Sequence, residues 1–383
     1  MIRVAARIRS LPAYPFAKLE GLAAAARTRG VDVVNLGIGD PDLPPPQAVV
    51  EAVREAVGRP DLQGYSASTG ERSFREAVAD WYARRFGVDL DPEREVCALI
   101  GSKEGIAGLA RAFVDPGARV LCPDPAYPVY ANGATLLSDG TPIVAPLLPP
   151  DFLLDPDALD APGLRLAYLN YPNNPTGATA SRKEFAAYVA AARDRGILLA
   201  HDLAYSELAF DPADAPSLLQ VDGAKDCAVE FHSLSKTFSM TGYRLGMAVG
   251  NADAIAALAR VKAQLDSGPP KFLQWAGAEA LRLYEGANPP REVRDAAETY
   301  RRRMDLLVRG LAEHGLPVRA PRATFYLWHR VPGDGLAFAE QLIGKGVMVT
   351  PGDAFGRSGG AYVRWAVTQP EDRIRLALER LAD

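Results

Sequence analysis

LRLAYLNYPNNPTGATASRKEFAAYVAAARDRGILLAHD, residues 164–202, decides how this chain folds. Two apolar runs of strand length, 164–169 and 197–200, flank a stretch with helical spacing. That stretch opens on Ser181, a capping residue with Glu184 at the reciprocal position, and closes on Gly196. Strands that are apolar on successive residues, joined through a helix, are parallel neighbours covered on both faces. Similar runs recur as VCALIG (96–101), ARVLCP (118–123), AVEFHSLS (228–235) and RLGMAVG (244–250). The expected class is therefore α/β, with a mostly parallel sheet flanked by helices.

The last third reads differently. A charged helix over 291–314 ends at Gly315 and Pro317, followed by TFYLWHRV, a helix near 338–346, VMVTPG, YVRWAVT and a final helix, the pattern of a smaller α+β lobe. The start of the chain, with LPAYPF and the proline-rich GDPDLPPP, has too little pattern to fold alone. The expected division is an N-terminal segment (1–38) packed on the small domain, a large domain (39–285) and a small domain (286–383) entered by the long helix.

Composition narrows the function. The chain has 383 residues, 48% of them hydrophobic, enough for a large core, and its 43 basic and 47 acidic side chains leave a net charge of −4. Such a balance disfavours nucleic acid and anionic membrane surfaces as partners. Cys97, Cys122 and Cys227 form no CxxC pair, and their odd number argues against a disulfide framework. No apolar stretch has the length of a signal core or a membrane span, so a cytoplasmic location is expected. His201, His232, His314 and His329 share no metal-ligand spacing and read as packing or surface residues; no metal is expected.

Ligands of open α/β sheets bind beyond the carboxyl ends of the strands. GSKEG follows the first run, with Gly101, Ser102 and Lys103 placed to open a helix whose free N–H groups attract phosphate. NYPNNPTG follows 164–169, bringing Asn170, Asn173 and Asn174; HDLAY follows 197–200, bringing Asp202 and Tyr205. SLSKTFSMTGYRLG (233–246) then carries Ser233, Ser235, Lys236 and Arg244. Each has a local explanation taken singly: a capped glycine turn, an asparagine turn, an N-cap aspartate, a surface cation. Together, a phosphate cradle, a carboxylate with a tyrosine, and a desolvated lysine able to act as nucleophile describe a pyridoxal phosphate site.

These motifs, with LGIGDPDLP, DPAYPVY and YVRWAVT, run the length of the chain, which resembles the fold-type I, class I/II aminotransferases and among them the LL-diaminopimelate aminotransferase branch. The resemblance implies the following roles. Lys236 attaches the cofactor and shuttles the proton, Asp202 pairs with the pyridine nitrogen, and Tyr205 and Asn174 bond the ring oxygen. Tyr127 stacks on the ring. Ser102, Lys103, Ser233, Ser235 and Arg244 cup the phosphate, with Tyr65 reaching in from a second subunit of a homodimer with shared sites. Arg364 clamps the substrate carboxylate, Gly39 lies in the closing loop, and the tyrosine of LPAYPF, Tyr14 beside Pro15, joins the substrate side. Lys271 is a candidate receiver of a distal acidic group. The implied reaction is transfer of an amino group from an L-amino acid, LL-diaminopimelate in this branch, to 2-oxoglutarate, as in lysine biosynthesis. N-succinyl-diaminopimelate, aspartate or alanine are alternative donors, and a lyase on the same scaffold is a more distant reading. A nicotinamide dehydrogenase is disfavoured because GIGD (37–40) lacks the third glycine and a following helix.

Overall fold

The computed structural model describes residues 2–12 and 16–382. Its strands are β1 (Val34–Asn35), β2 (Val96–Leu99), β3 (Arg119–Asp124), β4 (Thr141–Pro146), β5 (Leu164–Asn170), β6 (Leu198–Asp202), β7 (Ala228–Ser233), β8 (Gly246–Gly250), β9 (Tyr326–Arg330), β10 (Val347–Met348), β11 (Thr350–Pro351) and β12 (Tyr362–Ala366). Seven of them form one sheet in the order β2-β8-β7-β6-β5-β3-β4. Only β8 runs against its neighbours, so the other six end on the same edge. Helices cover both faces. Two apolar clusters result, one built around Phe74, Trp81, Phe185 and Leu199, the other around Leu109, Tyr168 and Phe231.

The helix between β5 and β6 runs Arg182–Arg195, capped by Ser181 and Glu184 in a reciprocal box and closed by Gly196 at φ +64°. A Cβ is costly in that left-handed conformation, so the expected stop signal operates for the expected reason. β4 escaped the reading of apolar runs. It holds Pro142 and Pro146 and is partly exposed, which a strand tolerates only at a sheet edge.

The second lobe stacks the helices Arg291–Glu313, Gly335–Gly344 and Glu371–Glu379 against the antiparallel order β11-β12-β9. The long helix buries Tyr300, Met304, Leu307 and Leu311 on one face, as amphipathic spacing requires. Near the start of the chain β1 pairs in parallel with β10, and Ala23, Ala26 and Val33 pack on Ile343 and Met348.

One buried ion pair ties elements together under the sheet. Arg85 Nε stands 3.1 Å from Glu207 Oε1, with the two side chains 10% and 2% exposed. Tyr284 and Ser206 donate to the same carboxylate at 2.9 Å. Removing one partner of such a pair strands the other charge in the interior. Arg85→Ala should therefore lower unfolding stability by about 3–5 kcal/mol, read as the urea midpoint. A loss below about 1 kcal/mol would mean that water reaches Glu207.

Candidate active site

The shared edge of the sheet opens on a cavity of about 370 Å³ between the two lobes. One end of it is built around the helix Ser102–Phe113. Gly101 turns the chain into that helix at φ +77°, and a Cβ on it would stand 2.4 Å from Arg244 Nη2. Glycine here lets the guanidinium lie across the first helical turn, whose N–H groups have no intrahelical acceptor. Ser102, Lys103, Ser233 and Ser235 line the same end. Arg244 is itself left-handed at φ 52° and donates to the Thr241 carbonyl at 3.0 Å. Burial, reinforced by the charge of Arg244, lowers the pKa of the Lys103 ammonium. The Ser235 hydroxyl is buried without a hydrogen-bond partner. Two crowded cations, an unused hydroxyl and a helix N-terminus are what a bound phosphate satisfies.

Asp202 stands on the cavity wall, where β6 ends. Tyr130 donates to its Oδ2 at 2.8 Å, while Oδ1 is buried and has no partner. Asn170 Nδ2 fixes the backbone carbonyl of Asp202 at 2.8 Å and its Oδ1 accepts from the N–H of Asn174, also at 2.8 Å. Burial pushes the Asp202 carboxyl up to about 6, against the opposing pull of the Tyr130 hydrogen bond and the charge of His201. A buried acceptor left without a donor is costly, so the wall is built for a donor that a ligand brings. The Tyr127 ring borders the same space, 5.5 Å from Lys103 Nζ.

Lys236 approaches from the start of the helix that follows β7. Its Nζ donates to the Gly39 carbonyl at 3.1 Å and lies 5.6 Å from the Phe325 ring; burial lowers its pKa. Such an amine can act as nucleophile and base. Arg364, on β12, donates to Asn174 Oδ1 at 2.9 Å and to the Gly37 carbonyl at 2.7 Å, with its guanidinium 4.0 Å from the Tyr326 ring and 4.6 Å from the Phe355 ring. The Tyr205 hydroxyl donates to that of Tyr326 at 3.4 Å. Gly39 has no room for a side chain, since a Cβ would fall 2.0 Å from the Tyr326 hydroxyl.

The structure thus gathers thirteen residues named from the sequence in one cavity: Gly39, Ser102, Lys103, Tyr127, Asn170, Asn174, Asp202, Tyr205, Ser233, Ser235, Lys236, Arg244 and Arg364. Tyr65 is 91% exposed and Lys271 pairs with Glu71 at 3.7 Å; neither lines this cavity. Tyr14 lies outside the described residues. Sequence reasoning passed over Tyr130, Tyr326, Glu20 and Asp40, which also line it. Tyr130 had a local signal, standing three residues after Tyr127 in DPAYPVY, whereas Tyr326 comes from the other lobe and had none. A cradle for a dianion, an unpaired carboxylate oxygen and a desolvated amine together fit pyridoxal phosphate.

Comparison with known proteins agrees. The family model described as aminotransferase class I and II matches residues 31–381. The chain is 50% identical to the LL-diaminopimelate aminotransferase of Desulforudis audaxviator, over 98% of this chain and 96% of that one. It is 45% identical to the enzyme of the same name from Aquifex aeolicus, covering 100% and 99% of the two chains. Among solved structures, a mutant aspartate aminotransferase from Thermus thermophilus superposes with a TM-score of 0.93 at 31% identity, covering 100% and 99% of the two chains. A probable N-succinyldiaminopimelate aminotransferase from the same organism gives 0.89 at 38%, covering 96% and 98%. With its fold, its cavity and its relatives in agreement, the chain belongs to the class I and II aminotransferases, enzymes that work with pyridoxal phosphate.

Proposed function

We propose that the protein transfers an amino group from LL-diaminopimelate to 2-oxoglutarate, giving tetrahydrodipicolinate and glutamate, in lysine biosynthesis. The observation that carries the transamination is the convergence of the Lys236 amine, the unpaired Asp202 oxygen and the Arg364 guanidinium on one cavity. The donor rests on the relatives' names, given to chains 42–50% identical over nearly the full length. Bound pyridoxal phosphate supplies the electron sink that lets the Cα–H bond of an amino acid break.

The protein's residues do the rest. Ser102, Lys103, Ser233, Ser235 and Arg244 hold the phosphate, and Tyr127 borders the ring. Asp202, ionised, would accept from the pyridine N–H and favour a protonated nitrogen there, and Tyr205 and Asn174 would donate to the ring hydroxyl oxygen. Lys236 would hold the cofactor, and its Nζ, an amine whose pKa burial has lowered, would take the proton from the substrate Cα. Arg364 offers a planar fork to the substrate α-carboxylate and thereby orients the Cα–H bond. Gly39 leaves space for the loop that covers it.

The working unit in this reading is a homodimer. Gln274, fully buried, joins the segment carrying Tyr65 to the one carrying Lys271, accepting from the Glu71 N–H at 2.6 Å and donating to Ser66 Oγ at 2.8 Å. Tyr65 and Lys271 therefore belong to one anchored surface, from which they reach the partner's site. The division at 38/39 and 285/286 belongs to the same proposal, with Arg364 brought to Lys236 across the lobes. No helix among the described residues is long and apolar enough to cross a membrane; we place the enzyme in the cytoplasm.

Mixing the holoenzyme with LL-diaminopimelate and 2-oxoglutarate should yield glutamate faster than with aspartate, alanine or N-succinyl-diaminopimelate. Preference for another donor would keep the chemistry and reassign the substrate, while glutamate formation undiminished in Lys236→Ala would remove the mechanism. In the cofactor-free protein, Asp202 binds its proton more tightly folded than unfolded, so its ionisation costs stability as pH rises from about 4 to about 6. Asp202→Asn should accordingly stabilise the cofactor-free protein above pH about 6, by on the order of 2 kcal/mol, with the difference vanishing near pH about 4. Equal melting temperatures at both pH values would mean that the carboxylate is hydrated.

A further inference from the structure

On the opposite face of β6 from Asp202 lies a charged pair that the reaction above does not use. His201 and Glu230 are fully buried and stand in register on β6 and β7. His201 Nδ1 is 2.8 Å from Glu230 Oε2, and Nε2 is 3.0 Å from the carbonyl oxygen of Tyr171. A peptide carbonyl can only accept, so Nε2 carries a hydrogen. Glu230 also accepts from the Tyr82 hydroxyl at 3.0 Å, the Ser217 hydroxyl at 2.7 Å and the Leu218 N–H at 2.8 Å. Burial alone would raise the Glu230 carboxyl, but the bonds from His201, Ser217 and Leu218 override it and leave its pKa lowered. Nδ1 faces a carboxylate so supplied with donors, so both ring nitrogens of His201 stand opposite acceptors.

The neighbouring histidines show the opposite arrangement. His232 Nε2 meets Ser206 Oγ at 2.8 Å, whose own proton goes to Glu207, and His232 Nδ1 is buried with no acceptor for a second proton. His329 Nδ1 accepts from Trp365 Nε1 at 3.3 Å. Burial holds both rings neutral, with values lowered to about 4. Around His201 stand also the Phe185 ring at 4.9 Å, the Tyr82 and Ser217 hydroxyls beyond Glu230, the neutral His232 on β7, and Asp202 itself. Asp202's hydrogen-bonding side-chain partner is the neutral Tyr130 hydroxyl, and the charge of His201 is the ionic influence that favours its carboxylate.

We propose that His201 is a positioning residue for the amino-transfer site: its buried imidazolium, fixed by Glu230 and the Tyr171 carbonyl, holds Asp202 as a carboxylate and through it keeps the cofactor's pyridine nitrogen protonated. The inference rests on the assignment of Asp202 to that nitrogen. The pair acts at close range through an interior of low dielectric, where a fixed charge one residue away matters far more than it would in water. The uncharged His201→Asn keeps an amide donor for Glu230 while giving up the cation, the bond to the Tyr171 carbonyl and the ring contact with Phe185.

Nitrogen NMR of the cofactor-free wild-type protein at neutral pH should show one histidine with both ring nitrogens protonated, assigned to His201 by its loss in His201→Asn, with His232 and His329 neutral. In the holoenzyme, His201→Asn should move the midpoint of the cofactor's absorbance–pH titration by about one unit and lower kcat roughly tenfold with KM little changed. A neutral His201 ring overturns the inference, and this test needs no variant to fold beyond its assignment, for which His201→Gln serves equally. So does an unmoved titration in His201→Asn alongside a moved one in Asp202→Asn. If Asp202→Asn also leaves the titration unmoved, the underlying assignment of Asp202 fails instead.

Discussion

A carboxylate at the end of a buried strand, with one oxygen held by Tyr130 and the other left bare, is the constraint around which the site is arranged. Asp202 is ionised only at a cost in the cofactor-free protein, because burial raises its pKa to about 6. Its backbone is pinned by Asn170, and its neighbour in the chain is tied to Glu230 across the sheet. Strain of this kind persists where the surrounding structure over-determines it and a ligand relieves it. The same pattern recurs at the phosphate end, where Lys103 and Arg244 crowd together beside an unpartnered Ser235 hydroxyl.

The second lobe completes what the sheet begins. Arg364 is carried on β12, yet its guanidinium bonds to Asn174 beyond β5 and to the carbonyl of Gly37 near the start of the chain. Lys236 in turn donates to Gly39. Arg364 and Lys236 thus meet at one short backbone stretch, residues 37–39, whose glycines leave space for Thr350 and Tyr326. Aromatic faces from Tyr326 and Phe355 enclose the guanidinium and hold it in place through cation–π attraction. Membership of the class I and II aminotransferases gives this geometry its chemistry, amino transfer with pyridoxal phosphate, in which we propose Lys236 as the cofactor lysine and Arg364 as the carboxylate anchor.

Much of this was legible in the chain itself. Successive apolar residues, Ser181 and Gly196 around a helix, and polar residues at strand exits are local signals, so they identified the α/β sheet and the residues Lys236, Asp202 and Arg244. β4 was not legible, because its prolines break the apolar run and only an edge position makes them harmless. The histidines illustrate the limit. His201 and His232 read alike in the sequence as packing residues; whether each second ring nitrogen faces an acceptor is decided by other elements, which provide one for His201 and none for His232. Likewise Tyr326 reaches Tyr205 only because two lobes meet. The sequence by itself determined the apolar runs of the strands, the helix limits and the types of chemistry at each exit, since these depend on neighbours within a few residues. The tertiary structure alone decided which polar atoms are paired and which are left bare, because burial and hydrogen-bond partners come from residues far apart in the chain.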